Sequence, residues 1–233
     1  MDSLHIFCAG AAKTVVMRIA GEFQRERAVL VSAHFGAVGA MSARAISAAQ
    51  VDIIILTAGL IDVLIEQRLI VAGSRADLGG VGTGIAVRFG AALPDVGSTH
   101  ALRCSLLAAT KIICPDPAVA TAGKILLDIL GQLGIADRMM PKLEYAASGH
   151  AAMTRIAEGT GMLEMGVMQI SEIIGGTGIV LAGPLPPEQQ RMSIYSAGLA
   201  VRSALPDQAT AFIRQLTGPG AHTALTAAGF EVG

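Results

Sequence analysis

Three ionisable side chains, Lys13, His150 and Glu172, fall in the opening turn of predicted helices, where backbone N–H groups and the helix dipole favour an anion. There His150 has the chemistry to donate to an anion or to carry a proton, and Glu172 to act as a general base if it is buried. Arg88 closes a predicted strand and can grip a carboxylate with two parallel N–H bonds. Thr57 and Thr121 precede or open helices and can offer a hydroxyl to a ligand or to the helix itself. Gln169 ends a buried strand with an amide to present. Each also has a plain structural role: a helix-start histidine or lysine on the surface, a strand-end arginine in water, a carboxylate favoured by the dipole.

The elements that position these residues begin with one pattern used three times. LHIFCAGAAKTVV, VLVSAHFGAVGAM and VDIIILTAGLIDVL each run an apolar strand into a turn of tiny residues and then a helix. Strands are expected at 4–8, 29–35 and 51–56, with helices after each and turns around Ala11, Ala12, Ala37 and Val38. Alternation of strand and helix implies parallel βαβ units with their helix starts at one sheet edge. A strand at 81–88 and a Gly/Pro/Asp loop over 90–98 mark a first crossover. A second set of units follows: strand 111–114, helix 121–133, strand 142–146, a helix from His150 with Gly149 before it, and strand 162–169. Further strands are expected at 178–182 and 192–201, and the chain closes with helices 207–216 and 221–228. The predicted fold is therefore α/β with two lobes, residues 1–83 and 198–233 forming one and 84–197 the other. The two crossover strands act as a hinge beside an interlobe cleft, and the last helices pack on the first lobe.

Composition narrows the function. Of 233 residues, 52% are hydrophobic and 15% charged, with 17 Lys and Arg against 18 Asp and Glu and no Trp, so there is neither a basic stripe nor an aromatic stacking platform for nucleic acid. The run 51–65 is interrupted by Asp52 and Asp62, so no membrane insertion is expected. Cys8, Cys104 and Cys114 read as buried thiols, and no Cys/His/Asp spacing suggests a metal. Met139, Met140 and the methionines of 162–168 read as core filling. GGVGTG at 79–84 precedes a strand where a dinucleotide fingerprint must follow one, so no cofactor is expected. No serine sits in a nucleophile elbow. The start Met-Asp-Ser lacks the features of a secretory signal, which reads as cytoplasmic, or as periplasmic if a leader has already been removed.

The ordered set LHIFCAGAAK, HFGAVGAM, VDIIILTAGLIDVLIEQRLI, GTGIAVR, PDPAVATAG, LGIAD, GVMQISEI, GPLP and YSAGLAV resembles the molybdate-binding-protein-like branch of the type II periplasmic solute-binding proteins, over essentially the whole chain. The resemblance implies a small anionic ligand and, for an exported protein, an ABC transporter permease as partner. It also implies serine hydroxyls at positions 11 and 38 and a tyrosine at 169, where this chain has Ala11, Val38 and Gln169. A tetrahedral dianion offers only acceptors, and each missing buried donor costs roughly 1–3 kcal/mol. The expected ligand is accordingly an organic acid, held by Ala11, Ala12, Ala37, Val38, Thr57, Arg88, Thr121, Gly149 and Gln169. GVMQISEI and YSAGLAV also resemble an aconitate-isomerase subgroup, which keeps open a cofactor-free isomerase that moves a proton with His150, Lys13 or Glu172.

Overall fold

A computed structural model describes residues 3–233. Two units divide the chain: one up to Val81 together with Ser193–Gly233, the other Gly82–Met192. Each is built on one five-stranded sheet.

In the first unit, β1 (Ser3–Ala9), β2 (Leu30–Gly36) and β3 (Ile53–Thr57) are parallel neighbours in the order β2-β1-β3. The apolar runs of β1 and β3 are the signature of strands covered on both faces, and Leu4, Ile6, Cys8 and Ile53–Leu56 are almost wholly buried, whereas β2 lies at the sheet edge and is only partly covered. Helices α1 (Lys13–Arg27), α2 (Val38–Ser47) and α3 (Ala58–Glu66) follow them. β4 (Ala76–Val81) lies at the far edge of this sheet. The apolar pattern does not announce β4, because its sequence is ADLGGV and its Gly79 has φ +134, with a Cβ there 2.5 Å from the Glu231 carbonyl oxygen. Only glycine lets the chain end approach so closely.

The second unit starts with β5 (Thr83–Arg88), then α4 (Thr99–Ala108), β6 (Lys111–Pro115), α5 (Thr121–Gln132), the short α6 (Ala136–Met139), β7 (Leu143–Ala146) and α7 (Gly149–Glu158). It finishes with β8 (Glu164–Gln169), α8 (Ile170–Ile174) and β9 (Ile179–Pro184), in the sheet order β7-β6-β8-β5-β9. Alternate strand residues feed two cores. Ile112 and Cys114 meet Leu126, Ile129 and Leu130 of α5 on one face, whereas Ile113 meets Ala152 and Ile156 of α7 on the other.

The chain then returns to the first sheet as β10 (Ser193–Leu199), antiparallel between β3 and β4, and ends in α9 (Pro206–Thr217) and α10 (His222–Ala227). Phe212 of α9 packs edge-on to Phe23 of α1, 5.3 Å between ring centres. Buried Asp52 ties this return: it accepts from the backbone N–H of His5 at 2.8 Å, the Ser203 hydroxyl at 2.6 Å and the Ala204 N–H at 3.0 Å.

Each sheet is mostly parallel, as expected, with one crossover strand, β10 or β5, running against the other four. Two expectations need correction. Cys104 is exposed on α4, with Sγ 3.5 Å from His100 Nε2, because it lies on the helix's wet face; Cys8 and Cys114 are buried. Met139, Met165 and Met168 fill cores, but Met140 and Met162 are exposed.

Candidate functional site

Parallel strands that end level bring the helix starts after them side by side. Ala9 pairs with Gly36 and Cys8 with Ile55, so the turns after β1, β2 and β3 are neighbours along the carboxyl edge of the first sheet. Ala11 and Ala12 lie buried in a 3-10 turn before α1, Ala37 precedes α2, Val38 is its first residue, and Thr57 precedes α3. At none of the three helices does a side chain accept a hydrogen bond from the opening N–H groups. Thr57 occupies the capping position of α3 without its hydroxyl doing so, contrary to the simplest role for a threonine there. Helix starts need partners for these N–H groups, and the residues before α1 and α2, Ala12 and Ala37, carry only methyls. Lys13 is exposed at the head of α1.

The second sheet repeats the arrangement: β6, β7 and β8 are parallel neighbours followed by α5, α7 and α8. Thr121, half-buried, is the first residue of α5, and the position before it is Ala120, with no side-chain cap. Ser148 does cap α7, its hydroxyl accepting from the Ala151 N–H at 3.2 Å. Buried Gly149 opens that helix and exposed His150 follows it. Gln169 is buried at the end of β8, and α8 begins at the next residue.

Glu172, the third residue of α8, reaches back so that its carboxylate accepts the Gln169 backbone N–H, the return half of a capping box. Protein atoms crowd this carboxylate, and burial pushes its pKa from 4.5 up to about 7, against the smaller opposing pull of that hydrogen bond. Thr83, opposite Gln169 on the β5–β8 ladder, and Ser171 add two buried hydroxyls, neither of which meets a hydrogen-bond partner among the described residues. Sequence reasoning missed both. The buried pairing of Thr83 with Gln169 depends on the direction of β5, which the local pattern does not encode.

Direction also removes Arg88 from the group. β5 runs antiparallel to β8, so its last residue lies at the sheet edge opposite Gln169, about 17 Å along the strand from Thr83. There exposed Arg88 lines a separate hollow of about 210 Å³ with Ala92, Pro94, Met162 and Leu163. Among the described residues, no group of three or more His, Cys, Asp or Glu side chains is arranged to hold a metal ion. No helix among them is long and apolar enough to cross a membrane.

The sequence model of one family, described as bacterial extracellular solute-binding protein, matches residues 4–231. The chain belongs to that family. Its two-sheet α/β fold is that of the molybdate-binding-like type II solute-binding proteins: the periplasmic molybdate-binding protein of Azotobacter vinelandii superposes with a TM-score of 0.83 at 19% identity, covering 99% of each chain. The sulfate-binding protein SubI of Mycobacterium tuberculosis superposes with a TM-score of 0.75 at 16% identity, over 99% of this chain and 86% of that one. Among characterised sequences, an aconitate isomerase from a Pseudomonas species is 26% identical over 180 residues, 77% of this chain and 67% of the relative. Within this solute-binding family member, then, eleven of the twelve residues marked out from sequence sit at the carboxyl edge of one sheet or the other, and Arg88 does not.

Proposed function

We propose that this solute-binding protein recognises a small organic acid through backbone N–H groups at the carboxyl edges of its two sheets. The observation that carries the reading is the row of three adjacent helix starts in the first unit, none of them capped by a side chain. Open backbone donors suit any anion, but Ala11 and Val38 supply no hydroxyl, so this edge favours a ligand with apolar surface between its charges over a compact tetrahedral oxyanion. The buried hydroxyls and amide of Thr83, Ser171 and Gln169 add directional groups from the second unit. Lys13, Thr57, Thr121, Gly149 and His150 complete the set proposed to meet the ligand.

The family supports a role outside the cytoplasm with delivery to an ABC transporter permease. A thermal-shift screen of molybdate, sulfate, citrate, cis-aconitate and trans-aconitate tests the reading. Stabilisation by a tricarboxylate at micromolar concentration is expected, and stabilisation by molybdate alone would remove it.

A second reading, an isomerase that moves a proton next to a carboxylate, is favoured by one observation: Glu172 titrates near neutrality beside this edge, where a general base works best. Exchange of solvent deuterium into an unsaturated acid would support it, and loss of that exchange in Glu172→Gln but not in His150→Ala would identify the base.

A further inference from the structure

The three most exposed large apolar side chains among the described residues are Met162 at 83%, Phe89 at 72% and Leu93 at 63%. All three belong to two segments that meet at the end of the second sheet away from Gln169: the run 88–94 that follows β5, and the turn 159–165 that leads into β8. Between these segments lies the hollow of about 210 Å³ that Arg88 lines. Its walls are mostly apolar, buried Val87 and Met165 standing beside the more exposed Ala92, Pro94, Met162 and Leu163.

The turn that carries Met162 and Leu163 is braced. Leu163 has φ +58, a left-handed backbone that a bulky residue keeps only when its surroundings impose it. Thr110, just before β6, does so: its N–H donates to the Leu163 carbonyl at 3.2 Å and its hydroxyl to the Met162 carbonyl. Glu164 adds a third brace, its carboxylate oxygens resting against the backbone of Gly159 and Gly161. Met162 and Leu163 are thereby held out in water and kept from collapsing over Met165, and apolar surface fixed in place before binding is what a ligand site gains from.

Two ionisable residues line the hollow, Arg88 and Glu164. Glu164 is engaged elsewhere, since Lys111 Nζ lies 3.8 Å from its Oε1 and both also line an adjoining polar recess with Glu144 and Arg155. The Arg88 guanidinium meets no carboxylate or other acceptor among the described residues. The hollow therefore carries one uncompensated positive charge at an apolar wall.

We propose that this hollow is a second ligand site, for a monocarboxylate bearing one benzene-sized apolar group. The apolar group lies between Met162, Leu163 and the 91–94 wall, and the carboxylate takes two N–H bonds from Arg88. A dry cavity of about 150 Å³ holds benzene, so about 210 Å³ has room for a ring and the methylene that links it to a carboxylate. The further charges of a di- or tricarboxylate would face apolar walls, so this hollow and the carboxyl edges select different acids. The two sites share no residue.

The test is an amide NMR titration of the full chain with phenylacetate, and with 2-phenylethanol as its uncharged counterpart, at neutral pH. Saturable shifts confined to amides of 87–93 and 160–165 are expected, with Kd on the order of 1 mM for a ligand of this size. 2-Phenylethanol should bind about tenfold more weakly than phenylacetate, and Arg88→Gln, a change at an exposed position, should weaken phenylacetate by about the same factor. Shifts that never saturate, equal affinity for the alcohol, or an unaltered Kd in Arg88→Gln would each overturn the site. Phenylacetate shifts gathered at 9–12 and 36–38 would do so too, by assigning this acid to the first carboxyl edge. Binding of trans-aconitate is read from those other amides, so failure of either reading leaves the other standing.

Discussion

The two sheets solve one geometric problem with different residues. α1, α2 and α3 of the first unit correspond in strand order to α5, α7 and α8 of the second, so their opening positions compare one to one. Ala12 and Ala120 precede the first helix of each set, Ala37 and Ser148 the second, Thr57 and Gln169 the third. In the first unit no side chain answers the open N–H groups. In the second, Ser148 answers those of α7, and Glu172 closes back on the start of α8. The first edge is thus a backbone surface with almost no chemical identity of its own. The second carries hydroxyls, an amide and a group that titrates near neutrality, so selectivity and pH response are expected to reside there.

The sharpest way to break this comparison is to crowd one edge and then the other. Gly149→Ala should push the Glu172 carboxylate, which rests against the Gly149 backbone, off its seat and away from the Gln169 N–H, and a buried donor left without its partner should destabilise the fold by about 1–3 kcal/mol, read from the urea midpoint. Gly59→Ala, near the head of α3 with nothing within 4 Å of its added Cβ, is the control from the first unit. It should gain about 0.5 kcal/mol through helix propensity.

Titration distinguishes the edges next. The folded chain holds the Glu172 proton up to about pH 7 against an ordinary 4.5, so its contribution to stability is complete below pH 4.5 and lost as pH rises through 7. That amounts to about 3 kcal/mol. Glu172→Gln should therefore melt higher than the native chain at pH 8 and close to it at pH 4.5, by scanning calorimetry; an unchanged difference across that range would place the proton elsewhere.

The smallest effects come from the caps. Ser148→Ala should cost about 1 kcal/mol, because a hydrogen bond to the Ala151 N–H is lost. Thr57→Ala should cost under about 0.5 kcal/mol, since that hydroxyl caps nothing. Equal costs in chemical denaturation would erase the distinction between the two edges.

What the sequence disclosed follows the range of its signals. Strands β1, β3 and β6 are legible because a short, almost wholly apolar run is costly anywhere but in a doubly covered sheet. The helix starts at Val38, Thr121 and Gly149 are legible within a residue or two because small turns and caps are local. β4 was not, since its glycines serve a contact with Glu231 some 150 residues away. Arg88 was misplaced because a strand pattern has no arrow: the residues of β5 read alike in either direction, and only pairing with β8 fixes which end meets Gln169. Glu172 was visible as a helix-start carboxylate, but its seat on Gly149 joins two helices through no periodic signal.

Gln190 acts as a detachable rung. Its side-chain Oε1 accepts the Thr83 N–H at 2.8 Å and its Nε2 donates to the Thr83 carbonyl at 2.9 Å, so a side-chain amide adds to the Leu185 N–H, which reaches the same carbonyl at 3.0 Å, where β5 begins. A backbone rung can be released only by peeling a strand, but this one opens by rotating a few side-chain bonds, at a net cost of about 1–3 kcal/mol for two hydrogen bonds. The Gln190 contacts can therefore open and re-form on the timescale of a rotamer change while Leu185 keeps its bond to Thr83 and every strand of the sheet stays paired.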